Sequence, residues 1–337
     1  MNAHLPRGVA QSELTTTLLE ASLLRVHSGK VRDSFSIPDH PDKLLVLATN
    51  RISIFDFVLN ALVPQKGEIL TALTTFWLTR VLCGYSHHLV AFGNHIDGFL
   101  PKSLWNSPVL QRRALVVKRV EMYPAELIVR GYLTGSGWKS YCRERRICGI
   151  PLPNGYHDGS KLLQAIFTPT TKAAEGHDQD IPSSSVPELL SGLALTWYSI
   201  AAEYATWRGI IIADTKFEAD WDGKLADEVL TPDSSRFWLQ SDWELAAKQG
   251  HSPTGFDKEP VRDWGRQVVA NITSSGEAVV GINNLHPEVL AEREFVHSLE
   301  VPAEVLTDTT RRYRQIFQML TGVELELFQR HDMGIQG

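Results

Sequence analysis

The chain has 337 residues, 43% of them hydrophobic and 21% charged, with a net charge of −6. This describes a folded protein with room for two or three domains and a core that needs no disulfide or structural metal. The acidic balance argues against nucleic acid as a partner, and no apolar run reaches membrane-spanning or signal-peptide character, so a cytoplasmic protein is expected.

In chain order, the first third reads as strand-rich. Residues 22–37 (SLLRVHSGKVRDSFSI) carry a Gly-Lys turn between two β-prone pieces, and 43–50 (KLLVLATN) form a short buried strand. Apolar spacing predicts a helix over 71–82. Residues 88–92, 115–120 and 127–129 read as further strands, which together predict an antiparallel sheet. The middle is rich in turn formers at 148–161 and shows no period over 167–188, the pattern of a functional loop or of a linker. A helix is predicted from 187 to about 207, closed by Gly209, with Leu189, Leu190, Leu193, Trp197, Ile200 and Tyr204 on its core face. Amphipathic helices follow over 288–299 and 302–320, the second stopped by Gly322. Cys83, Cys142 and Cys148 form no Cys-x-x-Cys pair and read as free thiols in a reducing compartment.

The densest chemistry lies in 209–236, GIIIADTKFEADWDGKLADEVLTPDSSR. A buried strand turns polar there, and its two-residue period puts Asp214, Lys216 and Glu218 on one face. A two-residue turn at Asp222-Gly223 predicts Asp227 directly opposite Glu218. Carboxylates that face each other across a ladder repel, and a divalent cation with Lys216 nearby relieves them, which points to chemistry on phosphate. Arg236 follows the hairpin, either as a phosphate ligand or in a salt bridge to Asp233. Two other groups could bind anions. Gly29-Lys30-Val31-Arg32-Asp33 offers glycine amides and flanking cations without the Walker A pattern. In 130–138, RGYLTGSGW, the Arg130 guanidinium, Ser136 and exposed amides suit a phosphomonoester, and a tight turn with a surface salt bridge is the plainer reading. Lys172, Glu175, His177 and Asp178 lie in the long loop, where a substrate-covering role competes with simple solvation.

In order and spacing these segments resemble the SAICAR synthetase family. The pieces are GKVRD (29–33), ATNRISIFD (48–56), KGEILT (66–71), LIVRGYLTGSGW (127–138), FTPTTKAAEGHD (167–178), IIIADTKFE with DEVLTPDSSRFW, and DKEPVRDW (257–264), so the resemblance spans about residues 20–322. It implies an α+β fold of two lobes around a cleft: a β-rich ATP-binding lobe, like those of kinases and ATP-grasp enzymes, over 1–120, and a larger lobe over 121–337 that ends in helices from about 260. It also implies a ligase that joins the imidazole ribonucleotide CAIR to L-aspartate with ATP and Mg²⁺, acting as a monomer or small homo-oligomer.

Residue by residue, the resemblance places Gly29, Lys30 and Arg32 at the ATP phosphates. Residues 118–122, with Lys118 and Glu121, fall at the adenine. Arg130, Ser136 and Arg236 match the CAIR 5′-phosphate site, Lys216 the neighbour of its carboxylate, and Asp214 its imidazole pocket. Glu218 and Asp227 match the Mg²⁺ ligands, and Ser53, Asp56 and Lys172 are the candidates for aspartate. The chain departs from the family pattern at Asn50 (usually Asp), at Ile54 (usually Ala) and in TTKAAEGHD (usually STKAEEGHD). A small-molecule kinase and a non-catalytic nucleotide-binding protein are the rival readings. Opposed acids weigh against the second.

Overall fold

Alternating apolar residues in the first third build an antiparallel sheet. In the computed structural model, which describes residues 4–6, 9, 23–172, 179–271 and 278–336, β1 (Arg25–Ser28), β2 (Arg32–Ile37) and β3 (His40–Ala48) pair in sequence. A separate hairpin follows, β4 (Arg51–Ile54) and β5 (Phe57–Leu62), and then β6 (Leu89–Phe92) and β7 (Ala114–Lys118) complete the first sheet in the order β1-β2-β3-β7-β6. Asp33, Phe35 and Ile37 alternate inward along β2, and Phe35 joins Leu45, Leu47 and Val116 in a core under this sheet. Helix α1 (Lys66–Phe76) runs on through a π-helical turn at Trp77–Val81, close to the predicted 71–82, and α2 (Pro108–Arg113) leads into β7.

The second sheet holds the charged hairpin. Strand β8 (Ala125–Leu133) is followed by α3 (Gly135–Glu144), the ribbon β9 (Arg146–Ile147) and β10 (Ile150–Pro151), then β11 (Ser160–Phe167) and β12 (Thr170–Thr171). Helix α4 (Glu188–Thr206) precedes β13 (Ile210–Ala219), β14 (Leu225–Ala226) and β15 (Ser235–Leu239). The order is β11-β8-β13-β14, with β12 added to β8 and β15 to β13. Trp197 of α4 meets Phe217 of β13 edge-on at 5.6 Å, which fixes the helix against the back of the sheet.

The chain then turns helical through α5 (Gln240–Ala247), α6 (Glu259–Gln267), a ribbon of β16 (Val269–Ala270) and β17 (Val279–Val280), α7 (Leu290–Ser298), α8 (Ala303–Thr321) and α9 (Leu325–His331). Gly322, at φ 79°, ends α8 as its spacing predicts. Four helices, α2, α3, α5 and α9, were not predicted. Leu189, expected in the core, is 55% exposed at the start of α4. Among the described residues no helix is long and apolar enough to cross a membrane, and all three cysteines are free.

The two departures from the family pattern in the first lobe have local partners. Asn50 Oδ1 accepts the Gly67 amide at 3.0 Å, so it caps the start of α1, work that a neutral side chain does as well as an ionised one. Ile54 is buried, and a Cβ on Gly265 of α6 would lie 2.6 Å from its Cδ1. Gly265→Ala is therefore expected to couple to Ile54→Ala by about 1 kcal/mol, the alanine being better tolerated once the δ-methyl is gone. A double-mutant cycle of unfolding free energies measures it, and additivity would refute the contact.

Candidate active site

The Gly29-Lys30 turn joins β1 to β2, with the Gly29 amide donating to the Arg32 carbonyl at 2.7 Å. A fully buried arginine holds it from below. Arg51 donates from Nε to the Lys30 carbonyl (3.2 Å) and from Nη2 to the Gly29 carbonyl (3.1 Å), while Nη1 and Nη2 grip the two Asp33 oxygens at 3.0 and 2.8 Å. Above the turn, Lys30 pairs with Asp56 at 2.6 Å, and Ser53 of β4 lines the same cleft. Arg32 reaches across to the other sheet, 2.5 Å from Asp227 Oδ2 and 3.3 Å from Glu228 Oε1.

The predicted hairpin register is corrected. Glu218 pairs with Ala226 and Ala219 with Leu225, so Asp227 lies one residue beyond the position opposite Glu218. The turn has three residues, not two. Gly223 takes φ 81°, and the Asp220 carboxylate accepts the Asp222 and Lys224 amides, so Asp220 and Lys224 close the loop around 221–223. Asp227 itself is left-handed at φ 59°, and from there its carboxylate meets Arg32. Burial opposes its charge, but Arg32, Lys172 and Lys216 outweigh it and hold the carboxyl below its ordinary range.

Along β13 the lysines separate the acids. Lys216 bonds Glu126 of β8 and stands 3.8 Å from Glu218, which Lys172 bonds from the loop after β12. Burial disfavours the Lys216 charge, yet Glu126 and Glu218 raise its pKa well above normal. Glu126 escaped the sequence reading, although it lies four residues before Arg130 on the same strand face.

Arg130 sits within β8, which continues to Leu133, rather than at a strand end. It is 3% exposed, with Nε on Thr168 Oγ1 (3.0 Å), Nη1 on Asp214 (2.8 Å) and Nη2 on Ser136 Oγ (3.0 Å). Arg236 pairs with Asp214 at 2.5 Å and not with Asp233. Asp214 is thus the buried counter-ion of two guanidinium groups and does not line the cleft, which corrects its expected place in a substrate pocket. Gly135, at φ 57° in the first turn of α3, lies so close to Arg236 that a Cβ there would be 2.4 Å from Nη2. A guanidinium held against a helix N-terminus concentrates positive potential, the requirement of an anion site.

Asp233 instead takes Lys66 of α1 at 2.7 Å and the Tyr313 hydroxyl at 2.6 Å, which ties α8 to the cleft floor. Beside it are Lys258, Arg262 and the buried Asp257, with Arg262 Nη1 on Asp257 Oδ2 at 2.9 Å. Burial lowers Lys258 to about 8, more than Asp233 offsets. Burial likewise lowers His88 to about 4.

These groups line one cleft of about 1330 Å³ between the sheets. Its walls include Gly29, Lys30, Arg32, Ser53, Asp56, Lys118, Ser136, Lys172, Lys216, Glu218, Asp227 and Arg236 from the sequence reading. Glu121 is exposed and off the wall, where Val120 and Met122 stand on either side of it. Arg130 lies one layer behind. Glu175, His177 and Asp178 lie outside the described residues. Lys66, His88, Lys258 and Arg262 were missed; the Asp233 partner of Lys66 comes from a segment far away in sequence.

The fold and cleft define an enzyme of small-molecule substrates, its cleft lined by cations such as Lys30, Arg32, Lys216 and Arg236 together with the carboxylates Glu218 and Asp227. The chain belongs to the SAICAR synthetase family, whose model matches residues 25–279. It is 39% identical over 315 residues to a phosphoribosylaminoimidazole-succinocarboxamide synthase of Neisseria meningitidis serogroup A, covering 90% of this chain and 99% of that one. The enzyme of the same name from Schizosaccharomyces pombe is 37% identical, covering 92% and 98%. The solved SAICAR synthase of Saccharomyces cerevisiae, complexed with SAICAR, superposes with a TM-score of 0.73 at 32% identity, over 94% of this chain and 99% of that one.

Proposed function

We propose that this chain is an ATP-dependent carbon–nitrogen ligase of de novo purine biosynthesis that condenses CAIR with L-aspartate to give SAICAR, ADP and phosphate. The observation that carries the reading is the meeting of the segment after the Gly29-Lys30 turn with the charged hairpin, 2.5 Å apart at Arg32 and Asp227, in a cleft that Arg236 also lines. A carboxylate is a poor acyl donor because its leaving group would be oxide. Transfer of the ATP γ-phosphoryl group makes that leaving group phosphate, and the aspartate amine then closes the amide.

In this scheme Gly29, Lys30 and Arg32 hold the ATP phosphates, and the main chain of 118–122 holds the adenine. Ser136, the start of α3 and Arg236 bind the CAIR 5′-phosphate, with Arg130 and Asp214 positioning Arg236 and Ser136. Lys216 stands beside the carboxylate to be activated. Lys258 and Arg262 join Ser53 and Lys172 as the groups for the two aspartate carboxylates, with Asp56 as an acceptor for its amine. Glu218 and Asp227 would supply hard carboxylate oxygens to Mg²⁺. Among the described residues no three His, Cys, Asp or Glu side chains converge as a complete cage. When bound, Mg²⁺ offsets the charge on the phosphates during transfer. We place the boundary between lobes near residue 120 and the reaction in the cytoplasm, on small molecules and with no nucleic-acid or membrane partner, by a monomer or small homo-oligomer.

ADP release with CAIR, with and without L-aspartate, tests the reading together with detection of the succinocarboxamide. ADP without amide would make the protein a kinase, and ATP binding with no turnover would make it a nucleotide-binding protein. Arg236→Lys keeps charge but loses the planar fork, so the KM for CAIR should rise about tenfold to a hundredfold with the KM for ATP unchanged. Arg130→Lys should act in the same direction through Ser136 and Asp214. An equal rise for both substrates would count against the phosphate assignment.

A further inference from the structure

Asp227, Glu228 and Asp233 reach the cleft from 227–234, the stretch between β14 and β15 that belongs to no strand. Two of its residues are left-handed without being glycine, Asp227 at φ 59° and Leu230 at φ 52°. An aspartate is tolerated there, whereas a leucine is strained and persists only where its surroundings fix it. One face of α1 and the turn after it provides that fixing, since Lys66, Thr74 and Trp77 fall on it at i, i+8 and i+11. Lys66 takes Asp233, the Thr74 hydroxyl accepts the Val229 amide at 3.4 Å, and the Trp77 indole N–H donates to the Leu230 carbonyl at 3.0 Å.

Trp77 is fully buried and opens the π-helical turn, with the Leu82 amide on its carbonyl at 2.8 Å. Helices widen in this way frequently at functional sites. Val229 and Leu230 are buried in the same core as Trp77, so packing fixes their side chains while the two side-chain bonds set the direction of their peptides. We propose that Trp77 is a positioning residue: its indole N–H holds Leu230 left-handed, and that fixed turn aims the Asp227 and Glu228 carboxylates at Arg32, which bonds both. The bond meets the carbonyl of the strained residue itself, where the backbone would otherwise relax. A relaxed Leu230 would swing 227–229, whose further tie to α1 is the longer Thr74 bond.

Trp77→Phe removes the N–H and keeps an aromatic ring in the core. Trp197→Phe is the matched control, because Trp197 is equally buried in the same core and its Nε1 has no hydrogen-bond partner to lose. Amide exchange of the peptide covering 227–234 is followed by mass spectrometry in both variants of the full chain, with thermal unfolding and steady-state kinetics beside it. In Trp77→Phe that exchange should quicken about fivefold to tenfold, the factor one hydrogen bond is worth. Turnover should fall about tenfold to a hundredfold, the cost of a small misplacement, with the KM for CAIR unchanged because Asp214 holds Arg130 and Arg236 independently. Trp197→Phe should move neither readout. If Trp77→Phe does not fold, Thr74→Val removes the Val229 acceptor at nearly constant shape and should move both readouts by a smaller factor. Equal changes in the two tryptophan variants, faster exchange with unchanged turnover, or no change in Thr74→Val where it stands in for Trp77→Phe would overturn the role. The kinetic half rests on the ligase reading; if the unsubstituted chain makes no succinocarboxamide, that reading falls and the exchange comparison alone decides whether Trp77 holds the segment.

Discussion

Glu218→Gln and Asp227→Asn are each expected to lower turnover by about a hundredfold or more and to raise the Mg²⁺ concentration needed for half-maximal rate. Metal stabilisation of transferring charge is worth several kcal/mol, and about 1.4 kcal/mol is a factor of ten in rate. Both substitutions keep size and remove only charge. Glu218 bonds Lys172 and Asp227 bonds Arg32, so each acid is already placed. The fold should tolerate the loss of Asp227, because Arg32 retains Glu228. Glu126→Gln is the contrasting variant. It removes the partner of Lys216 and should disturb CAIR binding without moving the Mg²⁺ requirement. Steady-state rates over a Mg²⁺ series check all three, and unchanged Mg²⁺ dependence in both acid variants would refute the ligand assignment.

Local pattern made much of this fold legible. The period of two along β2 and β13 and the helical spacing of α1, α4 and α8 depend on neighbours in sequence, and those elements fall where they were predicted. Helix α3 was hidden because its first turn, Gly135-Ser136-Gly137, reads as a loop; it is helical where Arg130 and Arg236 crowd the glycines. The register of the β13–β14 hairpin turned on one residue. Asp222-Gly223 signals a two-residue turn, but the Asp220 carboxylate caps the loop and shifts Gly223 to the third position.

The site was legible where motifs are contiguous and obscure where partners are distant. Lys30, Arg32, Lys216, Glu218, Asp227 and Arg236 share one cleft as expected. Asp214 was misplaced because strand alternation gives a face but not a neighbour, and its two neighbours are arginines from β8 and β15. Lys66 and Asp233 are 167 positions apart and meet only through the packing of α1. No spacing rule reaches that far.

Arg51→Met is expected to destabilise the protein by about 3–5 kcal/mol, the cost of leaving a buried charge without its partner. Arg51 and Asp33 are 1% and 0% exposed and joined through both oxygens, so Asp33 has no water to turn to, although Ser28 Oγ still donates to it at 2.8 Å. At about 2–4 °C per kcal/mol for a chain of this size, Tm should fall by about 10 °C. The same arginine ties down the carbonyls of Gly29 and Lys30, so the loss extends to the ATP turn. These two effects separate in the double variant Asp33→Leu/Arg51→Met. Replacing both charges by apolar groups should recover most of the stability, because the stranded carboxylate is gone. It should not recover the KM for ATP, because the two loop carbonyls remain without their donor. Thermal unfolding and ATP kinetics on the single and double variants measure both. Recovery of ATP affinity along with stability would show that Arg51 serves the turn only by holding the core together.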